Sequence, residues 1–341
     1  MVQLTRASKQ LFERPEDERF ENLEALYRHC VGVREQSAEL WQPPAEILPR
    51  GDGELCLQLG KKGEYWLNDW SFSQACSLAG VRKETVNRLS PSTASRVLQE
   101  TMPGGSRPMQ LLTHHNRIRA LHGASYTRLF DADLLDVVCE VACDFGGAPI
   151  GCNGAAGFYA GEQDMFAFLI DDTAWVDVGG EQFAPGFFVW NSEVGRRTVG
   201  VETFWFQRIC SNHIVWDAIE VFNYSRKHTA GVADAVVEIR ATISRLTKKR
   251  DQRKDAFARK IKSAMSETLA DDKDEAIRAL SGQGIGSSIV KQAVDWLVDH
   301  GQQITVFNAV DALTRITGKI PHAGDRTNQD VRIGNLLSLA S

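Results

Sequence analysis

Hydrophobic and polar positions alternate with a period of two along the middle of the chain. The runs MQLLTHH and RIRALHGASY flank Asn116, which predicts a β-hairpin. The runs GFYAG, MFAFLIDD and FFVWNSE predict three further strands. The run RRTVGVETFWFQRIC carries large apolar groups on both of its alternating faces, so we expect a central strand that is covered on both sides.

Helical spacing of apolar residues precedes and follows these strands. On the N-terminal side it predicts one helix from Arg19 to about Leu40 and three short helices between Phe72 and Met102. A helix capped by Asp131 or Asp133 interrupts the strands. On the C-terminal side the pattern predicts a helix over NHIVWDAIEVFNYS, a long helix from Thr229 to about Ala270, and three shorter helices.

This order of elements predicts an α+β fold, with a central antiparallel β-sheet and an intervening helix, flanked by N-terminal and C-terminal helices. We divide the chain into four regions: an N-terminal helical arm (1–50), an α+β core domain (51–228), a C-terminal helical region (229–317) and a polar tail (318–341).

Composition narrows the classes of function. The chain of 341 residues has 39 lysines and arginines against 44 acidic residues, a net charge of −5, so a nucleic-acid partner would have to meet a local basic surface. No apolar run reaches the about 18 to 20 residues of a membrane-spanning helix, and the first residues contain no apolar signal core. We therefore expect a cytoplasmic protein with no membrane partner.

The seven cysteines lack CxxC spacing and are predicted to be reduced core residues.

Three stretches carry a family resemblance: FSQACSLAGVRKETVNRLSPSTASRVLQETM, QLLTHHNRIRALHGASYTRLFDADLLDVV, and PGFFVWNSEVGRRTVGVETFWFQRICSNHIVW followed by KHTAG. The most specific pieces are the Asn191-Ser192-Glu193-x-Gly195 turn, the strand end from Arg208 to Asn212 and the helix start at His228-Thr229. Over about residues 54 to 317 the chain resembles the phage/plasmid-like proteins of domain-of-unknown-function family 932. The resemblance implies a phage, prophage or plasmid setting and assigns no activity.

The densest charge in the chain lies in the segment ISRLTKKRDQRKDAFARKIK, where nine lysines and arginines face only Asp251 and Asp255. The basic side of such a helix either contacts only solvent or binds phosphate groups. We hypothesise that it binds nucleic acid, that the sheet arginines join it in one continuous groove, and that Phe204, Trp205 and Phe206 position single-stranded bases or an oligomer interface. The predicted nucleic-acid-binding residues are Arg196, Arg197, Arg208, Lys248, Lys249, Arg250, Arg253 and Lys254.

Single-strand annealing proteins offer a fold analogy for this hypothesis, because they combine a curved antiparallel sheet with a basic groove, often in rings. The apolar faces of the strand ending at Cys210 also suggest a homo-oligomer. A phage-host interaction protein, which binds a host factor through its C-terminal helices, is a further alternative.

An enzyme is the remaining alternative, and we lean against it. Strand carboxylates such as Asp164, Asp171 and Asp172 could collect Mg²⁺, and Cys210 with His213 or His228 could form a thiolate pair. Neighbouring strand residues face opposite ways, however, and the run SGQGIGSS lacks the strand and the lysine of a phosphate loop. We expect no catalytic residues, no metal and no cofactor.

Overall fold

A computed structural model describes residues 15–147, 156–208, 214–216, 223–317 and 336–339 of the chain. In chain order its strands are β1 (Arg19–Phe20), β2 (Ser37–Gln42), β3 (Ile47–Arg50), β4 (Cys56–Leu59), β5 (Glu64–Leu67), β6 (Met109–His114), β7 (Arg117–His122), β8 (Gly146–Gly147), β9 (Phe158–Ala160), β10 (Met165–Ile170), β11 (Val176–Val178), β12 (Glu181–Asn191), β13 (Val199–Arg208), β14 (Ile214–Trp216) and β15 (Asn223–Arg226). Its helices are α1 (Leu23–Glu35), α2 (Asp69–Leu78), α3 (Lys83–Val86), α4 (Pro91–Thr101), α5 (Asp131–Val141), α6 (Val232–Lys248), α7 (Arg250–Ser266), α8 (Lys273–Gly282), α9 (Ser287–Asp299) and α10 (Val306–Thr317).

The strands form two sheets. Sheet A has the order β1-β9-β10-β12-β13-β14, with β8, β11 and β15 paired to β10, β12 and β13 respectively, and every pair in it is antiparallel. Sheet B has the order β2-β6-β7-β5-β4-β3, in which only the β5–β7 pair among the described strands is parallel. Antiparallel sheets flanked by helices confirm the predicted α+β class.

Helices cover both faces of sheet A. One face buries Val199 and Val201 of β13 against α1, α5 and α6. The other face buries Phe204 and Phe206 of the same strand against α7 to α10. The prediction that β13 is central and covered on both sides is therefore confirmed.

Helices α2 and α4 pack against sheet B, where α2 contacts β7 and α4 contacts β3. The inner face of sheet B is built from Leu57, Leu111 and Ile118, which are fully buried. A small cluster of Leu112, Ala120 and Val194 then joins sheet B to the turn between β12 and β13. The two sheets thus meet at this turn.

Three helix predictions are wrong in part. The first helix ends at Glu35. Residues 37–42, of which 37–40 fall within the predicted helix, form β2 instead because they pair with β6 along its whole length. The stretch predicted as one helix at 212–225 contains β14 and β15, which complete hydrogen bonds along β13. The long helix predicted after Thr229 divides at Lys249 into α6 and α7.

The cysteines divide into two groups. Cys30, Cys56 and Cys76 are free and buried, in agreement with the predicted core role. Cys139 and Cys143 are free but exposed, so the core assignment is wrong for these two: Cys139 lies on the side of α5 that faces away from sheet A, and Cys143 lies in the turn after α5. Cys152 and Cys210 lie outside the described residues.

Candidate functional site

The predicted basic segment spans the end of α6 and the first half of α7. Lys248 and Lys249 are exposed, and Lys254 is half-exposed. The ion pairs among the described residues involve none of these three lysines. The side chains of Arg250 and Arg253 lie outside the described part of the structure. We call Lys248, Lys249 and Lys254 the lysine cluster.

The apolar side of α7, which follows the lysine cluster along the chain, packs against sheet A. The Phe257 ring stacks on Trp205 of β13 with 3.9 Å between the ring centroids, and Ile261 is fully buried one turn later. Lys254 precedes Phe257 by one helical turn, and Arg208, which is exposed, follows Trp205 by three residues. Phe257 therefore lies over the end of sheet A where β12 begins and β13 ends, and Lys254 lies one helical turn from it.

Arg196 and Arg197 lie at the other end of the β12–β13 hairpin, in the turn that joins the two strands. The Arg197 Nε lies 2.6 Å from Oδ2 of Asp164, which compensates its charge. The Arg196 side chain is exposed, and its guanidinium lies 5.1 Å from the centre of the Trp70 ring. Ten strand residues at about 3.3 Å each separate the two ends by roughly 30 Å. The expectation of a single continuous groove is therefore wrong.

The sheet aromatics are not available for stacking on bases. Phe204, Trp205 and Phe206 are at most 1% exposed, because the helices on the two faces of sheet A cover them. The proposed role of these rings in positioning bases or an oligomer interface is wrong for the same reason. The apolar faces of β13, which suggested self-assembly, are buried within one chain.

The turn between β12 and β13 is the most buried polar segment at the junction of the sheets. Asn191, Ser192 and Val194 are fully buried, and Glu193 is 3% exposed. Gly195 adopts a φ of +73°, and a Cβ there would lie 2.7 Å from Nε2 of His122. We call residues 191–195 the cross-sheet turn. A hairpin turn exposed to solvent would not be packed in this way.

Helix α2 and the segment after β7 supply donors to the carbonyl groups of the cross-sheet turn. Trp70 Nε1 donates to the carbonyl of Val194 at 2.9 Å, and Arg128 Nη1 and the Tyr126 hydroxyl donate to the carbonyl of Glu193. These bonds satisfy backbone groups that burial would otherwise leave without partners.

The Glu193 side chain links three elements. Its Oε2 accepts from Arg119 Nη1 at 2.6 Å, and its Oε1 accepts from the backbone N–H of Asp131 at 3.0 Å, the first residue of α5. The N-cap residue of α5 is Phe130, so the predicted capping by Asp131 or Asp133 is wrong: the carboxylate that binds this helix end comes from the cross-sheet turn.

Asp131 is a buried carboxyl group beside this ion pair. It is 7% exposed, and its Oδ1 accepts from Asn191 Nδ2 at 2.8 Å. Burial raises the pKa of Asp131 well above its ordinary value, and the neighbouring Glu193 raises this pKa further. From the sequence, Asp131 was expected only as a helix cap, and Glu193 as a turn residue and as one of the carboxylates that could collect Mg²⁺. The signal for their site was the polar Asn-Ser-Glu run at the end of an apolar strand.

Two histidines flank Tyr126 close to the cross-sheet turn. The His122 ring is stacked on Tyr126 with centroids 3.6 Å apart, and His228 lies 5.4 Å from Tyr126 on centroid distance. Burial, together with the nearby Arg128 charge, lowers the pKa of His122 to about 3 and that of His228 to about 4. Both rings are therefore neutral at physiological pH.

The described carboxylates invoked for the Mg²⁺ alternative do not form a metal-binding cluster. Within the described parts of the chain, no group of three or more histidine, cysteine or acidic side chains is placed to hold a metal ion. Asp171 accepts from Thr173, and Asp177 accepts from the Gly180 N–H, as carboxylates do in turns. Cys210 and His213 lie outside the described residues.

Comparison with known proteins gave no match to a protein-family model, to a curated protein or to a solved structure. The resemblance to domain-of-unknown-function family 932 therefore stays a prediction. No helix in the described part of the structure is both long enough and apolar enough to cross a membrane.

Proposed function

We propose that this chain binds nucleic acid through the lysine cluster and Arg208. The observation that supports the proposal is the position of the lysine cluster, exposed and without ion-pair partners among the described residues, on a chain whose net charge is −5. Lysines and arginines that contact phosphates release the counterions condensed on a nucleic acid, which is a large part of binding free energy at moderate salt.

The buried aromatics restrict the mode of binding. Since Phe204, Trp205 and Phe206 cannot stack on bases, contacts to the phosphate backbone remain as the source of affinity. We therefore expect binding that depends weakly on sequence and strongly on salt.

The narrower form of the proposal is a single-stranded-DNA-binding or annealing protein of a phage, prophage or plasmid. The family resemblance supports the setting, and the antiparallel sheet with a basic helix across one face is the supporting feature for annealing. A homo-oligomer and a cytoplasmic location belong to the same proposal. Strand-annealing rates of complementary oligonucleotides test the narrower form.

The test of the proposal is the salt dependence of binding. Fluorescence anisotropy with a labelled single strand, and with its duplex, should give a log affinity that falls linearly with log salt. The triple variant Lys248→Gln, Lys249→Gln and Lys254→Gln should reduce the magnitude of that slope by about 2 to 3, because each lost phosphate contact removes about 0.7 to 0.9.

A matched control is the double variant Lys61→Gln and Lys62→Gln, which removes exposed lysines from the turn between β4 and β5 in sheet B. It should leave affinity and slope unchanged. A flat salt dependence of the wild-type protein, or equal losses in the two variants, would contradict the proposal.

A further inference from the structure

A cavity of about 330 Å³ opens where the two sheets meet. Its walls come from α1, from β6 and β7 of sheet B, from the turn after β9, from the cross-sheet turn and from the start of α5. Cavities that hold small molecules have volumes of roughly 300 to 1,000 Å³ and commonly lie between packed units of a fold. The volume and position therefore fit a small ligand.

With both of its carboxyl groups ionised, the floor of the cavity would carry one negative charge more than it has positive charges. Asp131 and Glu193 both line it and are 7% and 3% exposed, and Arg119 is the cation beside them. Arg119 donates to Glu193 at 2.6 Å, so its charge is already compensated. An ionised Asp131 would have no counter-charge of its own.

Asp131 also has unused hydrogen-bonding capacity. Asn191 donates to its Oδ1, whereas its Oδ2 has no donor within hydrogen-bond distance among the described residues. A buried carboxyl oxygen that lines a cavity and has no donor is a group that a ligand can satisfy. Its raised pKa agrees with the missing counter-charge, since the ionised form is disfavoured as long as no cation approaches.

The charged residues at the mouth of the cavity also favour a positively charged ligand. Among the described residues that line the cavity away from this floor, three are acidic, Asp17, Glu18 and Glu162, and one is basic, Arg117. His29 and His114 also line it, and burial lowers the pKa of both, so they add no positive charge near neutral pH. Carboxylates at the mouth of a low-dielectric cavity raise the local concentration of cations.

We propose that this cavity binds a small organic cation whose primary ammonium group donates to the free carboxyl oxygen of Asp131. An ammonium group carries three donors and the charge that the floor lacks. The site is separate from the lysine cluster, none of whose residues lines the cavity.

Isothermal titration with ligands of equal length tests the charge requirement. The probes are 1,4-diaminobutane, the neutral butane-1,4-diol and the dianion succinate, each at about physiological ionic strength to screen surface attraction. We expect one molecule of the diamine to bind each chain, and neither the diol nor succinate to bind.

Two variants distinguish a direct effect of Asp131 on ligand binding from an effect of changing a carboxylate at the start of α5. Asp131→Asn should weaken diamine binding tenfold or more. Asp133→Asn is the matched control, because it makes the same change in the same helical turn on a residue that pairs with Arg34 outside the cavity, and it should leave diamine binding unchanged. Urea unfolding of both variants verifies that they are folded.

A third variant, Glu162→Gln, changes an exposed residue at the mouth and should leave the fold intact. It should weaken diamine binding severalfold. The proposal is overturned if succinate or the diol binds as well as the diamine, if Mg²⁺ binds in its place, or if folded Asp131→Asn binds the diamine as the wild type does.

Discussion

At the scale of single residues, the buried rings of His122 and His228 make the free energy of unfolding depend on pH. Both histidines are buried and neutral, with folded-state pKa values of about 3 and about 4, and the ordinary histidine pKa is 6.5. Between these values the unfolded chain binds more protons than the folded chain, so stability falls as the pH falls below about 6.5. The loss from His228 alone at pH 4.5 is about 2 kcal/mol.

The variant His228→Phe tests this dependence. Phenylalanine preserves an aromatic ring next to Tyr126 and cannot be protonated, so the decline in the free energy of unfolding between pH 7 and pH 4.5 should be about 2 kcal/mol smaller than in the wild type. Urea unfolding at a series of pH values measures it. Equal declines in the two proteins would show that His228 is already protonated, or accessible to water, in the folded state.

At the scale of elements, helix α5 begins against a carboxylate from another part of the chain. Glu193 binds both the first N–H of α5 and the Arg119 guanidinium, whose side chain is 12% exposed. Glu193→Ala should therefore lower the free energy of unfolding by about 3 kcal/mol, because it leaves a buried cation without a partner. Glu193→Gln, which keeps an acceptor for the N–H, should cost less.

The control for this prediction is an ion pair in solvent. Glu100 pairs with Arg96 on the surface of α4, and its side chain is 67% exposed. Glu100→Ala should change the free energy of unfolding by no more than about 0.5 kcal/mol. If urea unfolding gives similar values for Glu193→Ala and Glu100→Ala, the cross-sheet turn does not hold α5 through this ion pair.

The elements also show how far local pattern determines structure. Period-two alternation located β6, β7, β10 and β13 because their faces pack directly on helices. Residues 37–40 and 214–216 were predicted as helix, and both lie in strands because an open edge, β6 or β13, supplies hydrogen bonds that local sequence does not reveal. Within the candidate site, the basic character of the segment from Arg245 to Lys262 was visible. The meeting of Asp131 with Glu193 was not, since 62 residues separate them along the chain.

At the scale of the whole molecule, the two groups of predicted nucleic-acid-binding residues should act separately. Roughly 30 Å of strand separates Arg196 and Arg197 from Arg208, several times the about 8 Å over which salt screens charges at physiological ionic strength. Arg196→Gln should thus leave nucleic-acid affinity and its salt slope unchanged, whereas Arg208→Gln should reduce the slope by about 0.7 to 0.9. Anisotropy titrations at several salt concentrations distinguish the two. Equal losses would mean that a bound strand follows the full length of the β12–β13 hairpin, and the surface that binds nucleic acid would then extend from the lysine cluster to the cross-sheet turn.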